Sequence, residues 1–142
     1  MDVLLSRKGK GDLAELKVAC DLVDRGYQIA IPFGEESDFD LIAVRGEKVV
    51  RVQVKHATCK NGAIRVECRS KSLTNGKVMR TKRYTAAMID WLAVYERTTD
   101  RCFYLPATEL GSGRSTLSLR LVPTRNRQSA GIRLAEDYCS LD

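Results

Sequence analysis

At 142 residues the chain has the length of one domain, enough to bury roughly 68–70% of its unfolded surface around an ordinary core. No aliphatic run approaches the roughly 18 positions of a membrane span, and the first residues are charged too soon for a secretory signal, so an intracellular, cytoplasmic protein without membrane association is expected. Residues 1–50 hold 7 Lys/Arg against 10 Asp/Glu, a net of −3, and residues 51–142 hold 17 against 8, a net of +9, so the chain's +6 separates an acidic beginning from a basic remainder.

That division suits an enzyme that acts on a polyanion, with bases to hold phosphates and carboxylates to hold a metal. The five cysteines (Cys20, Cys59, Cys68, Cys102, Cys139) are odd in number and never form a CxxC pair. They suggest reduced thiols packed as small hydrophobes, not a disulfide framework or a zinc site.

In chain order, residues 9–27 predict the first helix. Asp12 serves as N-cap with Glu15 three positions on, Leu13, Leu16, Cys20 and Val23 form the apolar stripe, and Gly26 stops the helix. Glu15 then has two readings, the partner that closes a capping box or a functional acid. The Gly-Lys-Gly at 9–11 lacks the GxxxxGK[ST] frame of a phosphate loop.

Residues 27–32 predict a short strand and 33–38 a loop. FDLIAVR (39–45) and KVVRVQVKHA (48–57) predict two strands joined by Gly46-Glu47, a pair suited to a type II′ hairpin. If Arg45 pairs with Lys48, Asp40 falls opposite Gln53 and Asp38 opposite Lys55. Asp40, Gln53 and Lys55 then share one face, while Leu41, Ala43, Val50, Val52 and Val54 fill the other. His56, the sole histidine, points away from Lys55 and is expected to be structural.

This constellation resembles the PD-(D/E)XK nucleases: Glu15 on the first helix, Asp40 in SDFDLIAV, and Gln53 with Lys55 in VRVQVKHA. The resemblance implies a restriction-endonuclease-like α/β (α+β) core of order αβββαβ, with a central mixed sheet flanked by helices, spanning residues 1–142 as a single nuclease domain. It further implies a metal-dependent endodeoxyribonuclease that uses Mg²⁺. Asp40, Gln53, Glu15 and the Val54 carbonyl would hold the metal, and Lys55 would act on the attacking water and the scissile phosphate. Gln in the third acidic position, with similarity in 89–110 and 119–138, is closest to homing endonucleases associated with group I introns. Holliday-junction resolvases usually carry Glu there and are the alternative. A nuclease-fold protein that binds DNA without useful catalysis is the second.

Downstream, 60–83 carries eight bases, Lys60, Arg65, Arg69, Lys71, Lys77, Arg80, Lys82 and Arg83, against one acid, Glu67, and is expected to contact phosphates of double-stranded DNA. Within it IRVEC alternates like a fourth core strand and SLTNGK suggests a turn. A second basic segment, about 111–133, holds Arg114, Arg120, Arg125, Arg127 and Arg133, with Asn126 and Gln128 suited to base edges. One site cuts one strand, so a homodimer or homotetramer is expected, with 91–95 and 102–106 as either interface or core.

Overall fold

In the computed structural model, which describes residues 4–74, 77–124 and 130–142, the hairpin takes the register that its turn dictates. Gly46 adopts a φ of 62°, as the first position of a type II′ loop requires. On it close β2 (Leu41–Arg45) and β3 (Lys48–Ala57), with Arg45 opposite Lys48, Ala43 opposite Val50 and Leu41 opposite Val52.

The helix α1 (Arg7–Asp24) begins earlier than expected. Ser6 is the N-cap, its Oγ accepting from the Gly9 amide at 3.0 Å, so Asp12 lies inside the helix and pairs with Lys8. The capping-box reading of Glu15 therefore falls. The end is as expected: Gly26, at φ 90°, donates to the Val23 carbonyl while Tyr27 donates to Leu22, a Schellman stop.

The buried face of α1 also differs. Ala14, Val18 and Leu22 meet the sheet, whereas Leu16 is 70% exposed, Val23 57%, and Cys20 faces solvent. A series at spacing four that starts from alanine lets the helix lie close against the valines of β3; the bulkier stripe would hold it away.

Three further strands complete a five-stranded sheet of order β1-β2-β3-β7-β8: β1 (Gln28–Ala30), β7 (Trp91–Glu96) and β8 (Arg101–Pro106). Only β3 and β7 run parallel, which makes the sheet mixed and the class α+β. One face, with Val50, Val52, Val54, Ala93, Tyr95 and Tyr104, lies under α1. The segments 91–95 and 102–106 are thus core strands, with Leu92, Ala93, Val94, Tyr95, Phe103, Tyr104 and Leu105 fully buried.

The opposite face is not a solvated one. Beyond Gln53 and Lys55 it is covered by a two-stranded ribbon of β4 (Ala63–Glu67) and β9 (Thr116–Arg120), whose Ile64, Val66, Leu117 and Leu119 pack with Leu92, Val94, Phe103 and Leu105. IRVEC therefore contributes to the core from a separate sheet. The connection from β3 to its parallel neighbour β7 is also strand, not the helix of the expected αβββαβ order. It comprises β4 and a hairpin of β5 (Arg69–Thr74) with β6 (Lys77–Arg83). Among the described residues α1 is the one α-helix, accompanied by two short 3-10 turns.

Two polar anchors tie this crossover down. Arg51 chelates Asp90 through Nε (3.1 Å) and a terminal nitrogen (3.1 Å), and the guanidinium also donates to the carbonyls of Ala86 and Ala87. Glu96 is fully buried and accepts from the amides of Cys59, Thr98 and Thr99 and from the Thr99 hydroxyl. Burial raises its pKa, but those donors more than offset burial and hold it below the usual carboxylate range. Among the described residues no helix is long and apolar enough to cross a membrane.

Candidate active site

The site forms where the β2–β3 ladder ends. Asp40, just before β2, donates its amide to the Val52 carbonyl at 2.9 Å, and its Oδ2 accepts the Val54 amide at 3.0 Å. The carboxylate thus satisfies an N–H that the shorter strand leaves without a ladder partner. Gln53, at 9% exposure, lies beside it with Nε2 3.5 Å from the Val54 carbonyl.

Glu15 approaches Asp40 from α1. Burial, then the charge of Asp40 and then a hydrogen bond with its carboxylate, push the Glu15 carboxyl up to about 7. A carboxyl raised by burial and by a neighbouring carboxylate marks a place where a bound cation would relieve the repulsion. Among the described residues no three His, Cys, Asp or Glu side chains gather about a common point. The groups that could serve as donors are two carboxylates, one carboxamide and the Val54 carbonyl, all able to present oxygen. This fits a hard divalent cation that keeps several waters of its own.

Lys55 projects to the same side of β3 as Gln53. Its Nζ donates to the Arg69 carbonyl at 3.1 Å and lies over the Tyr84 ring, 5.3 Å from the centroid. Burial lowers its pKa, with Asp40, Glu67 and Cys68 acting in the opposite direction. Asp38 does not pair with Lys55, as the register suggested. Its carboxylate holds Lys82 at 2.5 Å, because the loop before β2 leans towards β6 instead of continuing the ladder. His56 faces the α1 side, edge-on to Tyr95 with ring centroids 5.9 Å apart, and burial, then Lys10 and Arg97, lower its pKa.

A cleft of about 710 Å³ opens over this floor. Glu35, Glu36, Ser37 and Asp38 form one wall; Ser70, Arg80, Lys82 and Tyr84 form the other; Asp40 and Gln53 lie at the base. Of the expected phosphate contacts, Arg80 and Lys82 line the cleft, while Lys71, Lys77 and Arg83 are exposed on the β5–β6 hairpin. Arg69, at the foot of that hairpin, lies 3.5 Å from Glu67 and 3.4 Å from Ser115 Oγ. Lys60 is exposed after β3 and bridges to Ala63. Arg65 lines a separate groove on the outer face of the β4–β9 ribbon with Arg114, Thr116, Ser118, Arg120 and Arg133. Arg125 and Arg127, with Asn126 and Gln128, lie outside the described residues.

Sequence reasoning missed Tyr84 and Ser70. The one available signal was an aromatic directly after the basic run, and its approach to Lys55 depends on the hairpin's return path, which no spacing encodes.

The chain is similar to a solved bacterial homing endonuclease, I-Ssp6803I, at 24% identity over 94% of this chain and 88% of that one, with a TM-score of 0.73. It is also similar to Hjc, a Holliday junction resolvase from Archaeoglobus fulgidus, at 12% identity over 90% of this chain and 94% of that one, with a TM-score of 0.47. No curated protein matches it in sequence. The family model described as PD-(D/E)XK endonuclease matches residues 5–141, and the chain belongs to that family.

Proposed function

We propose that the chain is a Mg²⁺-dependent endodeoxyribonuclease of homing type, which hydrolyses phosphodiester bonds in duplex DNA at a recognised sequence. The observation that carries this reading is the placing of Asp40 and Gln53 at the base of a cleft with Arg80 and Lys82 on its wall, with Glu15 close enough to Asp40 that burial and the Asp40 charge together push its carboxyl up. Family membership supports the chemistry, and Gln53 in the third acidic position is the sequence feature that favours the homing branch.

Asp40 is the central metal ligand in this mechanism, with Glu15, the Gln53 side-chain oxygen and the Val54 carbonyl as further oxygen donors. When bound, the ion neutralises charge that develops on the phosphate during hydrolysis. Asp40 keeps its orientation because the Val54 amide fixes one of its oxygens. Lys55 donates hydrogen bonds to the attacking water and to a non-bridging phosphate oxygen. A new bond from the water oxygen to phosphorus then forms as the bond to the leaving sugar oxygen breaks, the water's proton passing to solvent and the leaving oxygen taking one from solvent. Arg80 and Lys82 hold neighbouring phosphates, and the exposed bases of the β5–β6 hairpin extend that hold along the duplex. Each chain carries one such site, so cutting both strands calls for two copies related by a two-fold axis.

The test offers the chain two substrates, a duplex carrying an intronless target and a synthetic four-way junction, with Mg²⁺ or with chelator. Duplex cleavage that needs Mg²⁺ and falls at least on the order of 100-fold in Lys55→Ala is expected. Preference for the junction would overturn the homing reading. Cleavage untouched by Lys55→Ala would overturn the assigned site, and binding without cleavage would leave a DNA-binding module.

A further inference from the structure

Lys55 is the site residue with the most freedom of its own, since a four-carbon stem on a strand can place its ammonium in many directions. Two groups remove that freedom, and both belong to the stem of the β5–β6 hairpin. The Arg69 carbonyl, at the hairpin's first residue, accepts from Nζ at 3.1 Å. The Tyr84 ring, one residue beyond the hairpin's end, lies beneath Nζ at 5.3 Å.

Tyr84 is itself held firmly. It is 4% exposed and belongs to the core on the sheet face opposite α1, against which Phe39 also packs. Its amide donates to the Cys68 carbonyl at 3.1 Å, which continues the hairpin ladder one step past Arg69 and Arg83. Its hydroxyl lies near Ser70 on the facing strand, which acts against burial on the phenol's pKa. A cation over an aromatic face in a desolvated site is attracted by the ring quadrupole, and the attraction is directional.

We propose that Tyr84 is a positioning residue: its ring, together with the Arg69 carbonyl, fixes the Lys55 ammonium near Asp40, so that the hairpin which engages DNA also sets the reactive lysine. This rests on the nuclease reading above. Tyr84 touches Lys55 and not the reacting atoms, so its effect belongs to turnover, not to affinity. Hairpin and lysine then act as one unit, and a duplex that draws the hairpin aside displaces the ammonium as well.

The experiment replaces the ring without emptying the core. Tyr84→Phe keeps the ring's electron-rich face, while pentafluorophenylalanine at position 84 keeps its shape and reverses the quadrupole. Wild type, both variants and Lys55→Ala are assayed on the cleavable duplex in Mg²⁺, and the Lys55 ε-methylene protons are followed by NMR in the metal-free, DNA-free chain, assigned by their loss in Lys55→Arg.

In wild type and Tyr84→Phe the ring current shifts those protons upfield and kcat is alike. The pentafluoro variant loses kcat on the order of 10-fold with KM little changed. Unshifted ε-protons in wild type overturn the proposal, as does a pentafluoro variant with full kcat or one whose loss lies wholly in KM. An equal loss of kcat in Tyr84→Phe overturns the role of the ring in favour of the hydroxyl. Failure of the underlying reading is recognised separately, by wild type that cuts no duplex or by Lys55→Ala that cuts as wild type does.

Discussion

Glu15 and Asp40 face each other across the junction of helix and sheet, and the metal-free fold accommodates them by keeping a proton on Glu15 up to a pH of about 7, against an ordinary value of 4.5. The folded chain therefore binds more proton than the unfolded one between those values. The stability this group contributes is fully present below about pH 4.5 and is lost as pH rises through about 7. Metal-free wild type is expected to lose thermal stability between about pH 5 and about pH 8, and Glu15→Gln, neutral throughout, to lose less. Mg²⁺ should restore wild type at the higher pH and leave Glu15→Gln unmoved. Parallel pH curves for the two proteins in calorimetry would refute the raised Glu15 carboxyl. Gln53 bears on the same balance: a carboxylate at that position would add a further negative charge beside Asp40 and push the Glu15 carboxyl higher still.

At the scale of elements, α1 carries two apolar stripes and uses the one made of smaller side chains. Leu22→Ala removes a fully buried side chain and is expected to cost about 2–5 kcal/mol in denaturant unfolding. Leu16→Lys, on the stripe that the spacing favoured, should change stability by no more than about 0.5 kcal/mol. A cost for Leu16→Lys as large as that for Leu22→Ala would mean that the helix presents its other face to the sheet.

The contrast marks what was legible in the chain. The hairpin could be read because a two-residue turn led by Gly46 leaves one register, and that register brings Asp40 beside Gln53 and Val54. The stop of α1 could be read because Gly26 takes a backbone conformation that other residues avoid. The start could not. Gly9 and Gly11 weaken helix propensity where the helix in fact runs, and Asp12 with Glu15 imitates a cap. Nor does any local pattern disclose that β4 to β6 replace a crossover helix, since a strand that covers the far face of a sheet alternates like a strand within it.

Across the whole molecule, the acidic and basic parts of the chain meet at the cleft. The first part supplies Asp40 at the floor and one wall, Glu35 to Asp38; the second supplies Gln53 at the floor, Arg80 and Lys82 opposite, and the arginine-lined groove on the β4–β9 ribbon beyond. The two walls touch through Asp38 and Lys82.

That contact has a polyelectrolyte consequence. A basic side chain that meets DNA from free solution liberates a condensed counterion, and each such contact steepens the fall of affinity with salt by about 0.9 logarithmic units per decade. Lys82 already has an anion. A phosphate that takes Lys82 displaces the Asp38 carboxylate, which then gathers a cation from solvent, so the exchange releases little net salt. Asp38→Asn should bind duplex more tightly at low ionic strength, with a salt slope steeper by about 0.9, whereas Lys82→Gln should leave the slope nearly as it is. Equal slopes for wild type and Asp38→Asn would mean that DNA leaves the pair intact. With the pair exchanged, the chain carries a built-in counterion, and a count of phosphate contacts taken from salt titration alone falls one short.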